Sequence, residues 1–207
     1  MQKNIKNNGF TLIELLITMA IAAIVLTIGV PSFQQTIQTN RKATQVNQIL
    51  HSLNVARSQA ITRGYPVSAC KSADGSTCGG AGVKWEDGWI IFEDDDQDAD
   101  HGESTDGNGT LNTDEEILEV VQGLVDGYTV NAKNFSGSLT YQPAGYILNS
   151  TNVQMSGHFV ICLDNDINGA GAVFINIAGK ARSGRDLDHN HIPENIDGTD
   201  ITTCSPT

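Results

Sequence analysis

Positive charge is scarce in this chain: 12 Lys and Arg stand against 24 Asp and Glu over 207 residues, a net charge of −12. Such acidity opposes indiscriminate binding to nucleic acid or to anionic lipid, so only a local basic site leads to either. Catalytic signatures are missing too. No nucleophile elbow and no phosphate-cradling glycine loop occurs, the acids cluster in loops, and His51 stands alone on a helical pattern. None of the four cysteines forms a Cys-x-x-Cys pair, which counts against zinc. No internal repeat is present. After Gly64 no helical periodicity returns, which removes right-handed βαβ units and favours antiparallel sheets.

What the chain does have is one long apolar run, Phe10 to Val30, broken by a single acid, Glu14. At about 1.5 Å per residue the run spans roughly 30 Å, the thickness of a bilayer's hydrocarbon core. Its twelve Leu, Ile, Val and Phe residues each favour insertion by about 0.3 to 0.6 kcal/mol, against roughly 3 kcal/mol for the acid. Insertion therefore survives Glu14, and a charge tolerated at that cost points to a function. The preceding Met1 to Gly9 carries Lys3 and Lys6 and no acid, which sets this end in the cytoplasm and the remainder across the membrane. The positive region ends directly at Gly9-Phe10 and no small-residue cleavage site follows the run, unlike an ordinary secretory signal.

Beyond Pro31, which is expected to kink the helix, apolar residues at Phe33, Ile37, Ala43, Val46, Ile49, Leu50, Leu53, Ala56, Ala60 and Ile61 keep a 3.6-residue period. The spacing predicts a helix continuing to Arg63 and stopped by Gly64. Short β-rich runs bounded by Gly, Asn and Asp follow. Strands are predicted at 67–70, 83–93, 117–121, 128–132, 138–142, 146–148, 158–163 and 172–178.

The hexapeptide Gly9-Phe10-Thr11-Leu12-Ile13-Glu14 resembles the prepilin-peptidase site of type IV pilins and type II secretion pseudopilins. The resemblance implies cleavage between Gly9 and Phe10, N-methylation of Phe10, and retention of Glu14 for assembly, where it would face the new cationic amine. Cleavage also removes Lys3 and Lys6, leaving ten basic residues and a side-chain charge of −14. The stretches Ala56 to Gly64, Gly88-Trp89-Ile90-Ile91-Phe92-Glu93-Asp94 and Gly179-Lys180-Ala181-Arg182 are similar to the GspH/FimT (FimU) family. That likeness implies an α+β, pilin-like fold: a long N-terminal transmembrane and amphipathic helix packed on a β-rich head of two antiparallel sheets. The divisions are a leader at 1–9, a transmembrane helix at 10–30, its amphipathic continuation at 31–64 and the head at 65–207. The implied function is a non-catalytic minor pilin or pseudopilin, placed at the fibre tip. Its partners are other pilins or pseudopilins, the prepilin peptidase, the inner-membrane assembly platform and, before assembly, the bacterial inner membrane, with the head in the periplasm. Type IV pili and type II secretion systems share this leader.

In an oxidising compartment four cysteines read as disulfides, and three pairings are open. Cys70–Cys78 with Cys162–Cys204 is favoured, because the first brackets a turn-rich loop and the second ties down the tail. The chain-entropy model gives about 2.6 and about 4 kcal/mol for them. No cofactor is required by the sequence, but two acidic loops have the oxygen-ligand spacing of calcium sites. One runs Ser104, Asp106, Asn108, Thr110, Asn112, Glu115; the other runs Asp186, Asp188, Asn190, Glu194, Asp197, with His191 where a sharp turn needs Gly. His189 and His191 are a weaker transition-metal pair. Lys180, Arg182 and Arg185 form the head's one basic cluster, in the place where FimT-like proteins carry a DNA-binding motif for natural transformation. A DNA-binding minor pilin is therefore the alternative function, tempered by Asp186 and Asp188 just downstream.

Overall fold

The computed structural model describes residues 10–80, 82–95, 107–195 and 197–204. Among the described residues one α-helix, α1 (Leu12–Arg63), is followed by nine strands: β1 (Val67–Lys71), β2 (Gly88–Glu93), β3 (Ile117–Gln122), β4 (Tyr128–Lys133), β5 (Ser138–Tyr141), β6 (Ile147–Asn149), β7 (Gly157–Leu163), β8 (Asp166–Ile175) and β9 (Ala181–Ser183). Residues up to Arg41 and those from Lys42 onward form two compact units, so the last 22 residues of α1 belong to the head. Pro31 lies inside α1 without ending it. Gly64 does end it, with φ of 86° in the left-handed region and its N–H donating to the Ala60 carbonyl at 3.0 Å.

All strand pairings are antiparallel. A five-stranded sheet has the order β3-β2-β1-β5-β6 and a four-stranded sheet the order β4-β7-β8-β9. From Lys42 onward, α1 buries Val46, Ile49, Leu53, Ala56 and Ala60 on one stripe. These residues join Trp89 and Ile91 of β2, Leu139 and Tyr141 of β5, Phe159 and Ile161 of β7 and Val173 and Ile175 of β8 in a single core. Alternation along the strands sends the intervening side chains to the opposite faces, and those faces are covered as well. Ile90, Phe92 and Cys70 pack with Leu111 and Cys78 behind the five-stranded sheet. Val160, Cys162, Ala172 and Phe174 pack with Ile201 and Cys204 behind the four-stranded one. The disulfides Cys70–Cys78 and Cys162–Cys204 sit one on each of these outer faces, each tying a covering segment to its sheet. Within the shorter disulfide loop, Asp74 accepts from the Ser76 and Thr77 N–H groups at 2.9 Å, and these bonds hold its carboxyl well below the usual range.

Three elements differ from the sequence expectation. The stretch 83–93 is not one strand: Trp85–Asp87 forms a 3-10 turn, closed by Asp87 Oδ2 accepting the Lys84 N–H at 2.8 Å, before β2 starts. Gly88 makes that switch at φ of 127°, where a Cβ would meet the Val121 and Ser72 carbonyls at 2.8 and 2.9 Å. β8 starts at Asp166 rather than 172, because Asp164 and Asn165 both take positive φ and make a two-residue hairpin directly out of β7. β9 lies outside the predicted strands, yet Val173, Phe174 and Ile175 pair with Ser183, Arg182 and Ala181.

Candidate functional site

At the start of α1 the Thr11-Leu12-Ile13-Glu14 sequence forms a capping box. The Thr11 Oγ1 accepts the Glu14 N–H at 3.3 Å, while Glu14 Oε2 accepts both the Thr11 N–H and its hydroxyl at 2.9 Å. Two donors orphaned by the helix start are thus satisfied, and a negative charge faces the positive end of the helix dipole. The carboxylate is hydrogen-bonded to the N–H of Thr11, the residue after Phe10, whose nitrogen would become the free amine on cleavage after Gly9. Gly9 itself falls outside the described residues. Phe10 is 86% exposed, and from Leu12 to Val30 no side chain is buried. The Ser/Thr-x-x-Glu spacing of the capping box is a sequence signal that the membrane reading of Glu14 passed over.

Lys180, Arg182 and Arg185 are all exposed. Gly179, at φ of 74°, turns the chain so that Lys180 donates its N–H to Asn176 Oδ1 at 2.9 Å and β9 begins. On that edge strand the Arg182 guanidinium stacks on the Phe174 ring, 5.8 Å from its centroid. One cation of the three is therefore partly engaged by the protein's own surface. Arg57 has a role that sequence reasoning missed: half-buried on α1, it donates to the Gly145 carbonyl at 3.0 Å and the Ala178 carbonyl at 3.4 Å, tying the turn before β9 to the helix.

The two acidic loops fold differently. In the first, Ser104 and Asp106 lie outside the described residues. The Asn108 and Gly109 N–H groups point at the buried carboxylate of Asp94, at 3.1 and 2.7 Å, and Ser68 Oγ donates to the same group. Asn108 Oδ1 accepts the Thr110 N–H at 2.6 Å, and both Glu115 oxygens receive donors from Asn112. These side chains close the loop on itself, and no carboxylate cluster forms among its described residues.

The second loop gathers Asp186, Asp188 and Glu194, a carboxylate oxygen of each within 4.8 Å of the others. Asp197, expected in the same set, is not in that cluster, and Asn190 reaches it through its amide rather than its carboxamide oxygen. The Asn190 carboxamide oxygen accepts the Ile192 N–H at 2.8 Å and its amide donates to Asp188 and Asp200, while Asp197 accepts the Thr199 N–H and hydroxyl. Burial pushes Asp186 up, but N–H groups of His191, His189 and Asn190 outweigh it and hold the carboxyl below its usual range. His189 and His191 are exposed and stand outside the cluster, each at positive φ.

Comparisons with known proteins match both ends of this description. Residues 45–179 match the model of the family described as type II transport protein GspH. Residues 4–30 match the prokaryotic N-terminal methylation motif. No curated protein sequence matches the chain. Among solved structures, the type IV minor pilin FimU of Pseudomonas aeruginosa is similar in two crystal forms. One superposes with a TM-score of 0.54 at 16% identity, covering 81% of this chain and 98% of that one. The second gives 0.51 at 16% identity, covering 79% and 99%.

Proposed function

This chain belongs to the GspH family and carries the N-terminal methylation motif, and from that premise we propose that it is a non-catalytic fibre subunit, cleaved between Gly9 and Phe10, methylated on Phe10, and assembled into a type IV pilus or type II secretion pseudopilus, at its tip. The observation that carries this reading is the fully exposed apolar stretch of α1 headed by the Thr11–Glu14 capping box. Such a stretch needs a bilayer or neighbouring helices to cover it. Residues 10–30 serve first as the inner-membrane anchor with the head in the periplasm, then as the packing surface for other pilins or pseudopilins. The prepilin peptidase and an inner-membrane assembly platform are the partners that processing and extraction require. Glu14 is the countercharge for the Phe10 amine, within the subunit or toward its neighbour.

Mass spectrometry of the membrane-extracted protein tests the processing step. The mature chain should begin at Phe10 with a methylated amine, and Gly9→Val should retain the leader and stop incorporation into fibres. An intact Met1 on the wild-type protein overturns the reading.

A further inference from the structure

Behind β9 the chain folds back so that Asp186, Asp188 and Glu194 bring three carboxylates within 4.8 Å of one another. Glu194 is 8% exposed. Its Oε1 accepts the Leu187 N–H at 2.6 Å and the Asp188 N–H at 3.1 Å. Its Oε2 is buried and has no hydrogen-bond partner. Among the described residues, none of the three acids is in an ion pair with Lys, Arg or His. As an ion, a buried carboxylate oxygen lacking any donor costs free energy, and a bound cation offsets that cost.

We propose that Asp186, Asp188 and Glu194 form a calcium site that clasps the C-terminal segment to the head. The donors are all oxygen, which favours a hard cation, and neither His189 nor His191 belongs to the group. The backbone already holds two of the ligands in place. The Asn190 N–H donates to Asp186 Oδ1 and Asp188 Oδ1 at 3.1 Å, and the His191 N–H donates to Asp186 Oδ2 at 2.9 Å, leaving further lone pairs open. Calcium accepts six to eight oxygens in loose geometry, completed by water and main-chain carbonyls, whereas magnesium demands a near-ideal octahedron. Asp186 and His191 also border an open cleft of about 300 Å³, so the site is reachable from solvent.

Occupancy has a structural consequence. The backbones of Glu194 and Asp200 form an isolated antiparallel bridge, and the Ile201 N–H donates to the Pro193 carbonyl at 3.2 Å. Ile201 and Cys204 are the residues that cover the outer face of β7 and β8. An ion at Glu194 therefore orders the approach to the Cys204 clamp, a role separate from processing at Gly9 or assembly through Glu14.

The test uses the full chain in detergent, stripped with a chelator and then unfolded thermally with no added ion, with about 10 mM calcium, or with about 10 mM magnesium. Calcium should raise Tm and magnesium should not match it. Equilibrium dialysis should count one calcium per chain, with Kd on the order of 10⁻⁴ to 10⁻³ M, as in extracellular modules. Glu194→Gln should lose at least tenfold in calcium affinity, yet unfold no earlier than wild type without the ion, because the orphaned charge is gone. Asp188→Asn alters an exposed side chain, keeps the fold, and should lose affinity likewise; it decides the matter if Glu194→Gln does not fold. Absence of a calcium-dependent shift in the wild type, an equal shift from magnesium, or a wild-type calcium response in Asp188→Asn overturns the proposal.

Discussion

The two stretches of α1 use hydrophobicity in opposite ways. From Leu12 to Val30 apolar residues face all round and none is buried, whereas from Lys42 to Arg63 they form a stripe that is buried among the strands. In the first stretch every apolar side chain is exposed, so composition matters more than the individual side chain. In the second the stripe is committed to its neighbours: Ala56 and Ala60 are fully buried, and interiors are packed densely enough that added methylenes are felt. One continuous helix thus joins a segment selected for its solvent to a segment selected for its fit.

Leu53→Ala against Leu16→Ala breaks or sustains this contrast most directly. Leu53 is 3% exposed, and its truncation should cost the head about 2 to 5 kcal/mol in denaturant unfolding. Leu16 is 54% exposed, and its truncation should change head stability by less than about 0.5 kcal/mol. Equal effects would erase the distinction. The next largest effect concerns Glu14, where capping and charge can be separated. Glu14→Gln keeps an acceptor for the Thr11 N–H, so helix content at the start of α1 should persist while the charge is lost. Glu14→Val loses both, costing the local helix about 1 kcal/mol. If fibre incorporation falls equally in both variants, charge is what assembly reads; if only Glu14→Val fails, the cap is.

The committed region also contains a buried titratable group. His158 packs edge-on to Phe174, and burial, reinforced by the Lys133 charge, lowers its pKa. The folded state therefore holds this imidazole neutral where the unfolded chain would bind a proton. Its contribution is fully present above the unfolded pKa, near about 6.5, and is lost as pH falls from there through the lower folded value. Tm should drop between pH 7.5 and 5.5, and His158→Gln should flatten that dependence; an unchanged slope rejects the assignment. The smallest effect is expected at the basic edge strand. In a low-salt electrophoretic shift with duplex DNA, wild type and Lys180→Ala with Arg182→Ala should be equally inert, given the acidity of the head. Binding by the wild type with a salt slope about 1.8 units steeper than the double variant would instead favour the DNA-binding alternative.

The long elements were legible because each carries its signal many times over. The period of α1 repeats through Ala60 and its stop is a single glycine, so its C-terminal bound follows from spacing. β9 was not legible, since three residues with Arg182 at their centre show no alternation, and charge on a short edge strand is how such edges avoid further pairing. The start of β8 was hidden because Asp166, Asn168 and Gly169 interrupt any apolar alternation ahead of Ala170. In the second acidic loop, spacing alone could not separate side chains that converge from those, such as Asn190 and Asp197, that bond to nearby backbone instead. Arg57 carried no pattern at all; its partners are carbonyls 88 and 121 residues away.

The placement of the two disulfides also sets how far this chain can be stretched. Cys70–Cys78 and Cys162–Cys204 close loops with sequence separations of 8 and 42 residues, which at about 3.4 Å per residue withhold roughly 170 Å of contour length from any pulling force. A subunit drawn out by its ends would reach full tension that much sooner than its reduced form, with the segment from Cys162 to Cys204 remaining a closed ring. Under load, Cys204 parts from β7 only if the Cys162–Cys204 bond breaks.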